Sequence, residues 1–136
     1  MDQKTLEYML NDCPFHRYLR LTLVDFSAPQ GWITLAVEAR PDLSRGEARS
    51  ALHGGVIASL IDIAGDYAVA LKTGVTVPTI SLHVDYLRFA RDARITATAH
   101  VLRCGRSIAV ADIDVRDDAG TRVAVGRGTY SSAVRE

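Results

Sequence analysis

The sequence predicts an α+β fold in which one long helix is held inside the concave face of a curved antiparallel sheet of five to six strands. Three observations predict it. Residues 55–72, reading GVIASLIDIAGDYAVALK, are of helix length and apolar nearly all round, so the helix they form must be surrounded. Four strand-like segments follow it with short connections, which favour antiparallel neighbours. The length, 136 residues, fits a single domain over 1–136.

A short amphipathic helix is expected at about residues 3–12, centred on Thr5 to Leu10 and ending before Pro14, because the residue preceding proline is pushed out of helical geometry. Residues 21–26 alternate loosely. Residues 32–38 follow the Pro29-Gln30-Gly31 turn signal and are rich in strand formers, so the two segments read as a hairpin. The long helix starts after His53-Gly54 and ends at Thr73-Gly74, where glycine suits the left-handed cap. Strands are expected at 79–87, 94–102, 107–115 and 122–130. In the first, Ile80, Leu82, Val84 and Tyr86 alternate with Thr79, Ser81, His83 and Asp85, the pattern of a strand with one buried face. No repeat, low-complexity stretch or linker interrupts the series.

Sixteen Lys and Arg balance sixteen Asp and Glu, and no run of five or six like charges occurs, which removes the simplest electrostatic argument for a nucleic-acid or membrane partner. A 48% hydrophobic and 24% charged composition excludes a disordered chain. Cys13 and Cys104 have no CxxC spacing, so neither a disulfide framework nor a zinc knuckle is expected, and a reducing cytoplasm is the natural compartment. The N-terminus lacks a long apolar run, and no 18-residue apolar span is read elsewhere. His83, Asp85 and His100 could be imagined near a metal, but no further ligand stands at a recognisable spacing; neither metal nor cofactor is expected. Nucleotide-loop motifs are absent, and Ser59 and Ser81 lack a nucleophile-elbow context.

Two features can carry chemistry. Asp62 and Asp66 stand i, i+4 in an otherwise apolar helix, where an unpaired carboxylate is costly. Each either pairs or caps a neighbouring segment, or acts on a ligand; for Asp66 the structural role is the preferred reading. His53-Gly54-Gly55 precedes the helix, whose first-turn N–H groups lack intrahelical partners and form a potential oxyanion site.

Taken together, H53-G-G-V-I-A-S-L-I-D62, T79-I-S-L-H-V-D-Y-L-R-F-A and R103-C-G-R-S-I-A-V resemble the PaaI-type acyl-CoA thioesterases of the hot-dog fold superfamily, over about Phe15 to Tyr130. The resemblance implies hydrolysis of an acyl-CoA thioester to a carboxylic acid and free CoA. It implies Asp62 as the essential carboxylate, either general base for a water or nucleophile, and Gly54 as the backbone donor polarising the carbonyl. His53 would shape the turn or donate near the carbonyl, and Thr79 would hold the attacking water unless it is simply an outward strand residue. In the family the site lies at a dimer interface, so a homodimer, assembled further as a dimer of dimers, is expected.

One position departs from the family pattern: Glu47 stands where these enzymes commonly carry Asn or Gln, and an ionised Glu cannot donate as an amide does. Phe89 replaces a usual proline and reads as a packing change. Five arginines against one acid between Arg88 and Arg106 suit CoA phosphates. The resemblance places Gly55, Arg88, Arg103, Arg106 and Ser107 among the substrate contacts. Trp32, Tyr67 and Phe89 would line an acyl tunnel or belong to the core. Two rival readings remain: a non-catalytic acyl-CoA-binding protein of the same fold, which Glu47 keeps open, and an enoyl-thioester hydratase.

Overall fold

The computed structural model describes residues 1–47, 51–91 and 94–133. Helix α1 (Gln3–Asp12) is capped by Asp2, whose carboxylate accepts the Thr5 N–H at 2.8 Å. Pro14 ends that helix and also opens another, α2 (Pro14–Leu19), because at a first helical position its missing N–H removes no bond. Arg20, in the left-handed region at φ 54, stops α2. His16 then docks edge-on against Tyr67, with ring centres 5.8 Å apart.

A hairpin follows, β1 (Thr22–Ser27) and β2 (Trp32–Glu38), turned at Gly31 with φ +70. After a 3-10 turn at Pro41–Leu43 comes the long helix α3 (Gly54–Thr73), closed by Gly74 at φ +84, whose N–H donates to the Ala70 carbonyl. Four strands complete the chain: β3 (Thr79–Tyr86), β4 (Arg94–Cys104), β5 (Ile108–Arg116) and β6 (Arg122–Ser131). They form with the hairpin one six-stranded antiparallel sheet in the order β1-β2-β4-β5-β6-β3.

Period-two patterning decides which face is core. Ala109, Ala111, Ile113 and Val115 of β5 are buried, while the residues between them are not. On the inner face, Ile33, Leu35, Val37, Ile95 and Ala97 pack in one cluster with Ile57, Leu60, Ile61, Ala64 and Leu71 of α3. Small residues let the helix sit low. A Cβ on Gly126 would lie 2.5 Å from the Ile61 side chain, so α3 rests directly on the β6 backbone there.

The sheet covers α3 on one side only. Ser59, Asp62, Asp66 and Thr73 form a half-buried strip along the other, so the expectation of a helix surrounded on all sides needs amending. With 20 residues, α3 is also long and apolar enough to cross a membrane by length and composition, which qualifies the reading that no such span exists. Here it packs against β2, β3, β4, β5 and β6 as a core helix.

β3 is an edge strand: it pairs with β6, and its other edge has no partner among the described residues. Its alternation breaks once. Leu82 and Val84 pack inward and Ser81, His83 and Asp85 lie on the outer face, as expected, but the register with β6 shifts between Thr79 and Ser81. The extra residue reverses the parity of Thr79, which turns inward towards α3 instead of outward with Ser81.

Candidate functional site

His53 is the N-cap of α3. Its Nδ1 accepts the Gly55 N–H at 2.9 Å, and its carbonyl accepts the Val56 N–H at 3.0 Å. With Nδ1 accepting, the neutral ring carries its hydrogen on Nε2. These bonds occupy Gly55, so the Gly54 N–H is the first-turn donor left without an acceptor among the described residues. The Tyr86 hydroxyl donates to the Gly54 carbonyl at 2.8 Å, and a Cβ on Gly54 would stand 3.3 Å from the Tyr86 ring. Glycine thus lets the Tyr86 ring pack directly on the start of the helix.

Beside this helix start lies a cavity of about 570 Å³ lined by Arg45, His53, Gly54, Ile57, Tyr86 and Phe89. Phe89 is 57% exposed and therefore outside the core. The Arg45 and Arg91 guanidinium carbons stand 4.6 Å and 5.3 Å from its ring centre. Replacing proline by Phe89 gives the two cations an aromatic face, a consequence the packing reading did not include. Arg88 is exposed at the same end.

Two turns further along α3, the Asp62 Oδ1 accepts the Thr79 hydroxyl at 2.7 Å. The Asp62 backbone carbonyl accepts from the Tyr130 hydroxyl at 3.3 Å. Tyr130 is fully buried in space that glycine leaves open, since Cβ atoms on Gly65 or Gly128 would lie 1.8 Å and 2.2 Å from its hydroxyl. Burial raises the Tyr130 phenol far above its ordinary range, so it acts as a neutral donor. Asp66 accepts the Val77 N–H on Oδ1 at 2.7 Å, the capping role read for it from the sequence. Desolvation raises its pKa to about 6 against the opposing effect of that hydrogen bond, and the Asp62 charge adds a smaller push upward.

The β4–β5 turn that carries Arg103, Arg106 and Ser107 sits at the Asp62 end. Ser132 ties it there, donating its N–H to the Ser107 carbonyl and its hydroxyl to the Gly105 carbonyl, while the neighbouring Ser131 N–H holds the Pro78 carbonyl. Glu47 stands in an exposed turn. Tyr67 is core, and the Trp32 indole N–H is held by Gln30.

The predicted residues therefore fall into two groups. His53, Gly54 and Arg88 belong to one end of α3 and β3; Asp62, Thr79, Arg103, Arg106 and Ser107 belong to the other. Gly54 and Asp62 are eight residues apart, about 12 Å along a helix rising 1.5 Å per residue. No single carbonyl group reaches both within one chain. Sequence reasoning missed Tyr86, Tyr130 and Arg45 as parts of these ends. Tyr86 alone carried a signal, as the aromatic residue in line with the inward-facing positions of its strand.

The family model for the thioesterase superfamily matches residues 50–124. A medium/long-chain acyl-CoA thioesterase, YigI of Salmonella typhimurium, is 33% identical, the match covering 91% of this chain and 88% of that protein. A thioesterase-superfamily protein solved by X-ray crystallography superposes with a TM-score of 0.87 at 40% identity, covering 94% of each chain. The Escherichia coli PaaI protein from the phenylacetic acid degradation operon superposes at 0.83 over 94% of this chain and 90% of its own; at 23% identity that likeness is one of fold.

Proposed function

The chain belongs to the thioesterase superfamily and has its hot-dog fold, and on that premise we propose that it hydrolyses acyl-CoA thioesters at sites shared between two copies. The 12 Å separation of the Gly54 donor from the Asp62 carboxylate, about eight helical rises, carries this reading. The unpaired edge of β3 supplies the means. Antiparallel pairing of β3 with its counterpart in a second copy sets the Thr79 end of one strand beside the Tyr86 end of the other. Because Thr79 is bonded to Asp62 and Tyr86 to Gly54, the same operation brings the carboxylate of one copy towards the helix start of the second. Arg103, Arg106 and Ser107 then meet Arg88 of the second copy, where CoA phosphates require cations.

In this site the Gly54 N–H binds the carbonyl oxygen and stabilises the charge that develops on it. Asp62 takes a proton from water while the Thr79 oxygen, its hydrogen already given to Asp62, accepts the other hydrogen of that water. The hydroxide adds to the carbonyl carbon. Collapse of the tetrahedral intermediate breaks the C–S bond, and the CoA thiolate takes up the proton, leaving a carboxylic acid. His53 holds the helix start and presents its Nε2–H beside it. Glu47, in its exposed turn, supplies no amide donor, so the water rests on Asp62 and Thr79.

The substrate class proposed is medium- to long-chain acyl-CoA, from the likeness to YigI and the cavity lined by Ile57, Tyr86 and Phe89. The free thiols of Cys13 and Cys104 agree with a reducing cytoplasm. A thiol-release assay over acetyl-, medium-chain, long-chain and phenylacetyl-CoA tests the reading: activity is expected to peak on the longer chains and to vanish in Asp62→Asn. Equal turnover by Asp62→Asn overturns it. Light scattering is expected to give a dimer or a dimer of dimers, and an active monomer contradicts the shared site.

A further inference from the structure

We propose that Asp66 is a positioning residue for this reaction: it fixes the start of β3 so that the bulge turns the Thr79 hydroxyl onto Asp62. The inference rests on the catalytic roles assigned above to Asp62 and Thr79.

The need for such a device follows from strand parity. In an unbroken strand Thr79 would face outward with Ser81, His83 and Asp85, and its hydroxyl could not reach α3. The register shift between Thr79 and Ser81 reverses that parity. A bulge at the end of an edge strand frays easily, because its other edge contributes no ladder bonds. Three bonds hold this one from the side of the sheet and the helix. The Ser131 N–H donates to the Pro78 carbonyl at 2.9 Å, the Val77 N–H donates to Asp66 at 2.7 Å, and Thr79 pairs with Tyr130, whose hydroxyl reaches the Asp62 carbonyl.

Spacing makes the pair of aspartates a matched gauge. Asp62 and Asp66 are separated by about 6 Å of helix, four rises of 1.5 Å. Val77 and Thr79 are separated by about 6.6 Å of extended chain, two rises of 3.3 Å. One rigid helix can thus grip residues 77 and 79 at once, through successive carboxylates on one face. The groups around Asp66 are Asp62, Tyr67, Tyr130 and the Val77 amide, with no cation among the described residues. A carboxylate kept in such surroundings is poor stabilisation for a fold, whereas its geometry fits the placement of Thr79.

A double-mutant cycle in kcat, measured by thiol release from a long-chain acyl-CoA at pH 7.5, tests this. Asp66→Ala and Thr79→Ala are each expected to lower kcat about tenfold with KM little changed, and the double variant to fall no further than Thr79→Ala alone. Asp66→Asn keeps an acceptor oxygen and the shape. It is expected to fold, to lose only a few-fold in kcat, and to show no loss in the Thr79→Ala background, so the test stands even where Asp66→Ala does not fold. Losses that multiply in either double variant overturn the inference while an inactive Asp62→Asn leaves the reaction intact. Full activity in Asp62→Asn removes the reaction assignment and this inference with it.

Discussion

Asp66→Asn is expected to abolish a pH dependence of stability that the native chain carries, and its size follows from the site. The Asp66 carboxyl has a pKa of about 6 in the folded protein against an ordinary 3.8, because burial penalises its charge more than the Val77 N–H relieves it. Between those values the folded chain binds a proton that the unfolded chain has released. Stability from this group is therefore complete below pH 3.8, falls as pH rises, and levels off above about 6. A shift of roughly 2 units at 1.4 kcal/mol each makes the loss at pH 7.5 about 3 kcal/mol. Asparagine cannot ionise and escapes it, at a cost of about 1 kcal/mol for a weaker acceptor to Val77. His16 acts in the opposite sense: its burial lowers its pKa, so its contribution is lost as pH falls below 6.5. That effect is common to both proteins and cancels in their difference. Urea denaturation from pH 4.5 to 7.5 should show Asp66→Asn gaining on wild type with pH, becoming the more stable protein by about 2 kcal/mol at pH 7.5. A difference independent of pH refutes the assignment of a half-buried carboxyl held by the Val77 N–H without a cation among the described residues.

Three further outcomes are expected. Gly65→Ala sets a Cβ 1.8 Å from the Tyr130 hydroxyl, so the ring must move; a loss of about 2–3 kcal/mol is expected from denaturation, with kcat falling as the Asp62 carbonyl loses its donor. Tyr86→Phe removes the donor to the Gly54 carbonyl and is expected to lower kcat several-fold in the thiol-release assay, with stability reduced by about 1 kcal/mol. Arg103→Ala is expected to raise KM with kcat retained, the penalty shrinking at high salt and with a dephospho-CoA thioester; an unchanged KM places the phosphates elsewhere.

Strong local signals made most of the fold legible. Residues 32–38 stand in the structure with the expected bounds because a turn signal and a run of strand formers agree there. The long helix was legible from its glycine-bounded apolar run and gained one residue at each end. Helix α2 was not, because Pro14 serves both to stop one helix and to start the next, and a six-residue segment gives periodicity too little to work on. β1 alternates loosely because its pairing with β2 shifts between Leu23 and Asp25. Thr79 marks the deeper limit. Its inward turn depends on a bulge set by pairing with β6 some fifty residues later, and parity within residues 79–86 predicts the opposite face. Asp66 could be read as a cap because a carboxylate in an apolar helix demands a donor; that its donor belongs to the residue two before Thr79 is a fact of tertiary structure.

In the proposed site, divided between two copies, the geometry of the reaction is a matter of strand register. A slip of two residues in the pairing of β3 with itself would move the helix start of one copy by about 6.6 Å relative to the Asp62 of the other, beyond any hydrogen bond to a shared carbonyl. Each strand is tied to its own helix at both ends, by Thr79 on Asp62 and by Tyr86 on Gly54, so that in the proposed dimer the edge pairing is passed directly to Asp62 and Gly54. Loosening either tie should separate assembly from activity. Tyr86→Phe and Thr79→Ala are expected to remain dimeric by light scattering while losing turnover, because the edge pairing is a backbone contact that neither side chain makes. Dissociation of either variant in parallel with its loss of activity would mean that these side chains hold the interface itself rather than the register of the site across it.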